Sequence, residues 1–80
     1  MKIMMRDNRV FQGTPLQIVR AMQDIAFGVA DFTVRQYIEW VCANALTFES
    51  VTLAVTGETD DERAASLVEE MIRAGLTHRV

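Results

Sequence analysis

Apolar positions follow a helical period in three stretches of the chain and a period of two in a fourth. In the first, Ile18, Val19, Met22, Ile25 and Ala26 recur at i, i+1, i+4, i+7 and i+8, with Gln17, Arg20, Gln23 and Asp24 largely on the other side. That spacing lays one apolar stripe along a helix. The second stretch carries Val34, Tyr37, Ile38, Val41, Ala45 and Phe48, and Trp40, Cys42 and Leu46 widen it beyond a stripe. A helix apolar over so much of its surface is central or is covered on two sides. This segment is therefore expected to be the core helix or the interface helix of an oligomer. The third stretch carries Ala64, Ala65, Val68, Met71 and Ile72, with Leu67 at its edge. Residues 51–56 instead read Val, Thr, Leu, Ala, Val, Thr, an alternation rich in β-branched residues that predicts a half-buried strand.

The helix starts are marked by a repeated local grammar. Thr14-Pro15-Leu16-Gln17, Thr33-Val34-Arg35-Gln36 and Thr59-Asp60-Asp61-Glu62 each read Thr-x-x-Gln/Glu. In such a capping box the Thr hydroxyl accepts from the third backbone N–H, and the Gln or Glu reaches back to the Thr N–H. Pro15 at the first helical position loses nothing by lacking an N–H. Phe32 and Tyr37 flank the second box at the positions of a hydrophobic staple. Gly28 and Gly75 are the expected stops, with Leu76 placed to pack on Met71 in a Schellman motif. Ahead of all this, Ile3-Met4-Met5 and Val10-Phe11-Gln12 flank Arg6-Asp7-Asn8-Arg9, which reads as a β-hairpin with Asp7 and Asn8 at its tip. The predicted elements are a hairpin over 1–12, helices over 14–27, 33–48 and 59–74, a strand over 51–56 and a frayed tail over 77–80. They make a small single α+β domain in the order β-β-α-α-β-α. Its sheet has three strands, the hairpin plus 51–56, and its three helices lie mainly on one face.

Composition sharpens this picture at one point. Half of the 80 residues are hydrophobic, yet a chain of this size buries only about 60% of the surface its unfolded form exposes. Either the packing is very efficient or some apolar surface is covered by a partner, and a second copy is the simplest partner, since most soluble oligomers are homo-oligomers. The net charge of −3 is unevenly spread, +1 over residues 1–40 and −4 over 41–80. The basic residues are scattered rather than gathered in a stripe, which disfavours nucleic acid. One cysteine permits no internal disulfide and suits a reducing compartment, so a cytoplasmic location is expected. No apolar run approaches the length of a membrane span, and the opening residues carry no secretory signal.

Candidate chemistry is thin. His78 is the only histidine and is the third residue from the end, where a general acid or base would lack a fixed position. Cys42 sits mid-helix among apolar residues, the setting of a small buried hydrophobe rather than a reactive thiolate. Asp60, Asp61 and Glu62 occupy a first helical turn, where the helix dipole favours them; consecutive helical side chains point about 100° apart and do not converge on one ion. No catalytic, cofactor or metal site emerges. Phe27, Phe32, Tyr37 and Trp40 near Arg20 and Arg35 resemble a base-stacking set only in outline.

The residues therefore point to a small non-enzymatic protein–protein interaction or regulatory module that acts through self-association, as a dimer, or by docking on another protein. Trp40, Tyr37, Phe48, Val41 and Phe32 are the interface candidates, Trp40 first among them because it lies off the main stripe. A DNA-linked regulator, whose dimer presents Lys2, Arg6 and Arg9 from its hairpins, is the first alternative. A small ligand-binding or accessory subunit of an enzyme complex is the second.

Overall fold

A computed structural model describes all 80 residues, Met1–Val80. The elements are β1 (Lys2–Met5), β2 (Val10–Gln12), α1 (Pro15–Ile25), α2 (Val34–Glu49), α3 (Asp60–Arg73) and β3 (Thr77–Arg79). The strands form one antiparallel sheet in the order β2-β1-β3. Ile3, fully buried on β1, faces the helices, while Lys2, Val10, Gln12 and His78 lie on the open side. The α+β class, with three strands and the helices on one face, is as the sequence predicts.

All three capping boxes close. The Thr14, Thr33 and Thr59 hydroxyls accept from the N–H groups of Gln17, Gln36 and Glu62 at 3.1–3.2 Å, and each of those side chains accepts from the Thr N–H in return at 2.9–3.2 Å. Gly13, at φ +139°, approaches the first box so closely that a Cβ would stand 2.6 Å from Gln17 Oε1. The hairpin forms around Arg6-Asp7-Asn8, with Asn8 itself in the left-handed region at φ 71° and Asp7 Oδ1 accepting from the Arg9 N–H. Asn thus fills the position that glycine often takes in a three-residue hairpin loop. At the end of α3 the Leu76 N–H donates to the Met71 carbonyl and the Gly75 N–H to that of Ile72, which is the expected Schellman pair.

The third strand is not where the alternation places it. Residues 51–56 do alternate in burial, with Leu53 buried, Val51 and Val55 half-buried, and the residues between them exposed. But this segment pairs with no strand. It lies along α3 and bonds to that helix's polar side chains: the Ala54 N–H donates to Glu70 (2.8 Å), the Thr56 N–H to Ser66 Oγ (3.0 Å), and Arg73 Nη2 to the Thr52 carbonyl (3.4 Å). The Val55 N–H turns back to the Leu53 carbonyl and kinks the backbone. The strand is supplied instead by 77–79, expected to fray. Thr77 fills a buried position because its hydroxyl donates to the Met4 carbonyl at 2.7 Å. The order is therefore β-β-α-α-α-β.

Two further expectations are corrected. The core helix is α3, whose Ala64, Leu67, Val68 and Met71 are buried and which packs on α1, α2 and β3. α2 packs on α1 and α3 but not on the strands, and buries only Tyr37, Ile38 and Ala45. α1 stops at Ile25, short of Gly28. Its Gln23 amide group passes the helix end and donates to the carbonyls of Val29 (3.0 Å) and Phe32 (2.8 Å), holding the connection to α2 in place.

Candidate functional site

Because α2 stands off the sheet, a groove opens between it and the hairpin tip. Met5, Arg6 and Asp7 form one wall. α2 supplies the other with Tyr37, Val41 and Ala45, spaced i, i+4, i+8, and with Trp40, Asn44 and Phe48, spaced likewise. Both rows lie on adjoining faces of one helix, so helical period alone brings them together. Met22, Met71 and Leu76 lie beneath. The groove is open to solvent and has a volume of about 430 Å³. A narrower cleft of about 180 Å³ shares Met5, Asp7, Met22 and Tyr37 and continues past Phe11 to Ile25 and Ala26.

The groove is mostly apolar, with ion pairs at its margin. Arg6 Nη1 meets Glu49 Oε2 at 3.1 Å, and Arg6 Nε also donates to the Gly75 carbonyl. Within the hairpin, Arg9 Nε meets Asp7 Oδ2 at 3.1 Å. Tyr37 is 3% exposed and stacks on Trp40, with ring centroids 5.7 Å apart and planes 25° apart. Burial pushes its phenol up to about 12. Three of the five methionines, Met5, Met22 and Met71, line the groove; flexible, polarizable thioethers adapt to whatever ring or chain lies against them.

The structure brings together four of the five interface candidates, Trp40, Tyr37, Val41 and Phe48. Tyr37 is a core residue that forms the base of the groove, and Phe48 is 77% exposed at its rim. Phe32 lies outside the lining, on the connection between α1 and α2. The floor residues were not legible as a set, although Met22 and Met71 sit on the apolar stripes of their helices; their meeting depends on how α1 and α3 pack. Of the nucleic-acid candidates, Arg6 and Arg9 each pair with an acid, and Lys2 lies on the open side of the sheet. They do not gather into one basic patch.

Other reactive groups stay apart. Cys42 lies half-buried on α2, and burial, with the charges of Glu39 and Glu70, pushes its thiol up. His78 is on the open face of β3, opposite Met4. No three His, Cys, Asp or Glu side chains converge as metal ligands. No helix is long and apolar enough to cross a membrane. Compared with known proteins, the chain matches no family model, no curated protein and no solved structure. The chemistry of the groove is then the ground for a functional reading.

Proposed function

We propose that this protein is a small non-enzymatic interaction module that self-associates in the cytoplasm through the groove between the hairpin tip and α2. The observation that carries this reading is the groove itself: an apolar, methionine-lined concavity bordered by the exposed Phe48 ring and by paired charges. Aromatic residues and methionine are enriched in protein interfaces, and charge is depleted at their centres. The apolar excess of the composition has its outlet here. The duplex-binding alternative gains no comparable support, since the charges of Arg6 and Arg9 are already matched.

The test is the mass in solution by light scattering, over a dilution series at two salt concentrations. The expected result is a dimer that dissociates on dilution with little response to salt, because apolar burial is not screened. Phe48→Ser and Trp40→Ala should each weaken it, with helix content by circular dichroism unchanged for Phe48→Ser. A monomer at every concentration overturns the reading, as does a dimer indifferent to both substitutions.

A further inference from the structure

Tyr37 is 3% exposed, yet its hydroxyl neither donates to nor accepts from any group of the chain, and burial alone sets its pKa. The only side-chain nitrogen or oxygen that is both fully shut from solvent and unbonded is Arg63 Nε. The little of Tyr37 that reaches solvent therefore includes its hydroxyl. Tyr37 lines both the groove and the narrower cleft, so the hydroxyl opens where the two run together. A buried tyrosine hydroxyl normally finds a partner. In solution only water can bond this one. Whatever displaces that water must bond the phenol in its place or leave it orphaned.

The other lining residues define what such an occupant is like. Tyr37 stacks on Trp40, Val41 and Phe48 continue that wall, and Met5, Met22 and Met71 complete the lining. Aromatic faces and polarizable sulfurs favour flat apolar rings. The charges are already matched, Arg6 with Glu49 and Asp7 with Arg9. An ion brought here would lose water without meeting a free counter-charge. Asn44, two turns along α2 from Tyr37, adds a second polar side chain that makes no bond within the chain. The volume, about 430 Å³, lies in the range of small-molecule sites, which are mostly apolar with a few placed polar groups.

We infer that the groove binds a neutral, ring-bearing small molecule carrying a hydroxyl or carbonyl group, which the Tyr37 hydroxyl recognises. The rings lie against the aromatic wall and the methionines, and the oxygen meets the phenol at the base. Because Tyr37 stays protonated at neutral pH, it donates to a carbonyl or hydroxyl oxygen and can accept from a hydroxyl. The apolar body supplies affinity. The single polar bond supplies selection, since a molecule of the same shape without the oxygen strands the phenol. The inference goes beyond the self-association reading and does not rest on it. A second copy needs the rim, where Phe48 is exposed, whereas the small molecule needs the phenol at the base.

The test titrates the protein with 2-naphthol, a neutral two-ring alcohol, and compares naphthalene, which lacks the oxygen, and 2-naphthoate, which is charged. Trp40 is the only tryptophan, so its indole N–H resonance reports the groove by NMR, and solution mass is followed alongside. 2-Naphthol should bind saturably and shift that resonance. Naphthalene and 2-naphthoate should each bind about fivefold or more weakly, the effect of one hydrogen bond lost or one charge desolvated. Tyr37→Phe removes only a hydroxyl that nothing in the chain bonds, so the fold should hold. The variant should bind 2-naphthol about fivefold more weakly and naphthalene no more weakly than the wild type, which shows the groove intact. A Trp40 resonance that 2-naphthol does not move overturns the inference. So does a Tyr37→Phe variant that binds 2-naphthol as tightly as the wild type, or a wild type that binds 2-naphthoate more tightly than 2-naphthol. A monomer that binds 2-naphthol overturns self-association alone, and a dimer that does not bind it overturns this inference alone.

Discussion

Glu70 shows how much a single side chain does in this fold. Its carboxylate accepts from Arg73 Nε (2.9 Å) and Nη2 (3.0 Å) and from the Ala54 N–H (2.8 Å). Those bonds, Arg73's first, hold its pKa at about 2, below the ordinary 4.5. The group is thus easier to ionise in the folded chain than in the unfolded one. Its contribution to stability is complete above about pH 4.5 and is lost as pH falls toward 2. Urea denaturation at intervals over that range should show stability falling with acid, and Glu70→Gln should flatten this part of the profile while lowering stability at neutral pH. An unchanged slope in the variant would assign the acid sensitivity elsewhere. None of this was legible in the sequence. Ser66, Glu70 and Arg73 lie off the apolar stripe of their helix, and the backbone groups they bind lie between 10 and 21 residues earlier in the chain.

Helices and strands were legible to different degrees for one reason. A capping box closes within four residues, so Thr14, Thr33 and Thr59 mark their helix starts whatever the rest of the chain does. A strand needs a neighbour, and alternation reports only that one side of a segment is buried. Residues 51–56 satisfy the alternation and find their acceptors on α3. Thr77-His78-Arg79, with no apolar pattern, completes the sheet because the Schellman turn delivers it to the free edge of β1. This yields a contrast in outcomes. Truncation after Leu76 removes the β1–β3 ladder together with the bonds from Thr77 to Met4 and from Val80 to Lys2, and at about 1 kcal/mol for each hydrogen bond it should cost several times as much as the loss of one. Ser66→Ala, which removes only the acceptor for Thr56, should cost about 1 kcal/mol. Equal losses in urea denaturation would contradict this ranking.

At the scale of the whole molecule, stability is graded from the sheet and α3 outward. α3 packs on α1, α2 and β3, whereas α2 packs among the regular elements only on the other two helices and carries the exposed Leu46 and Phe48 near its end. Native-state hydrogen exchange should therefore find its slowest amides at Leu67, Val68 and Met71, and markedly faster exchange in the last turn of α2, since local opening follows the apolar contacts that oppose it. Uniform protection along α2 and α3 would show that α2 is held more firmly than its packing implies. The sequence by itself determined three helices with their starts, the hairpin, the α+β class and the apolar breadth of α2, because caps, turns and periodicity act over a few residues. Only the tertiary structure decided which segment became the third strand, which helix became the core, and that α2 stands away from the sheet to leave a groove. Those outcomes depend on pairings between residues far apart in the chain, where shape and available hydrogen-bond partners outweigh local pattern.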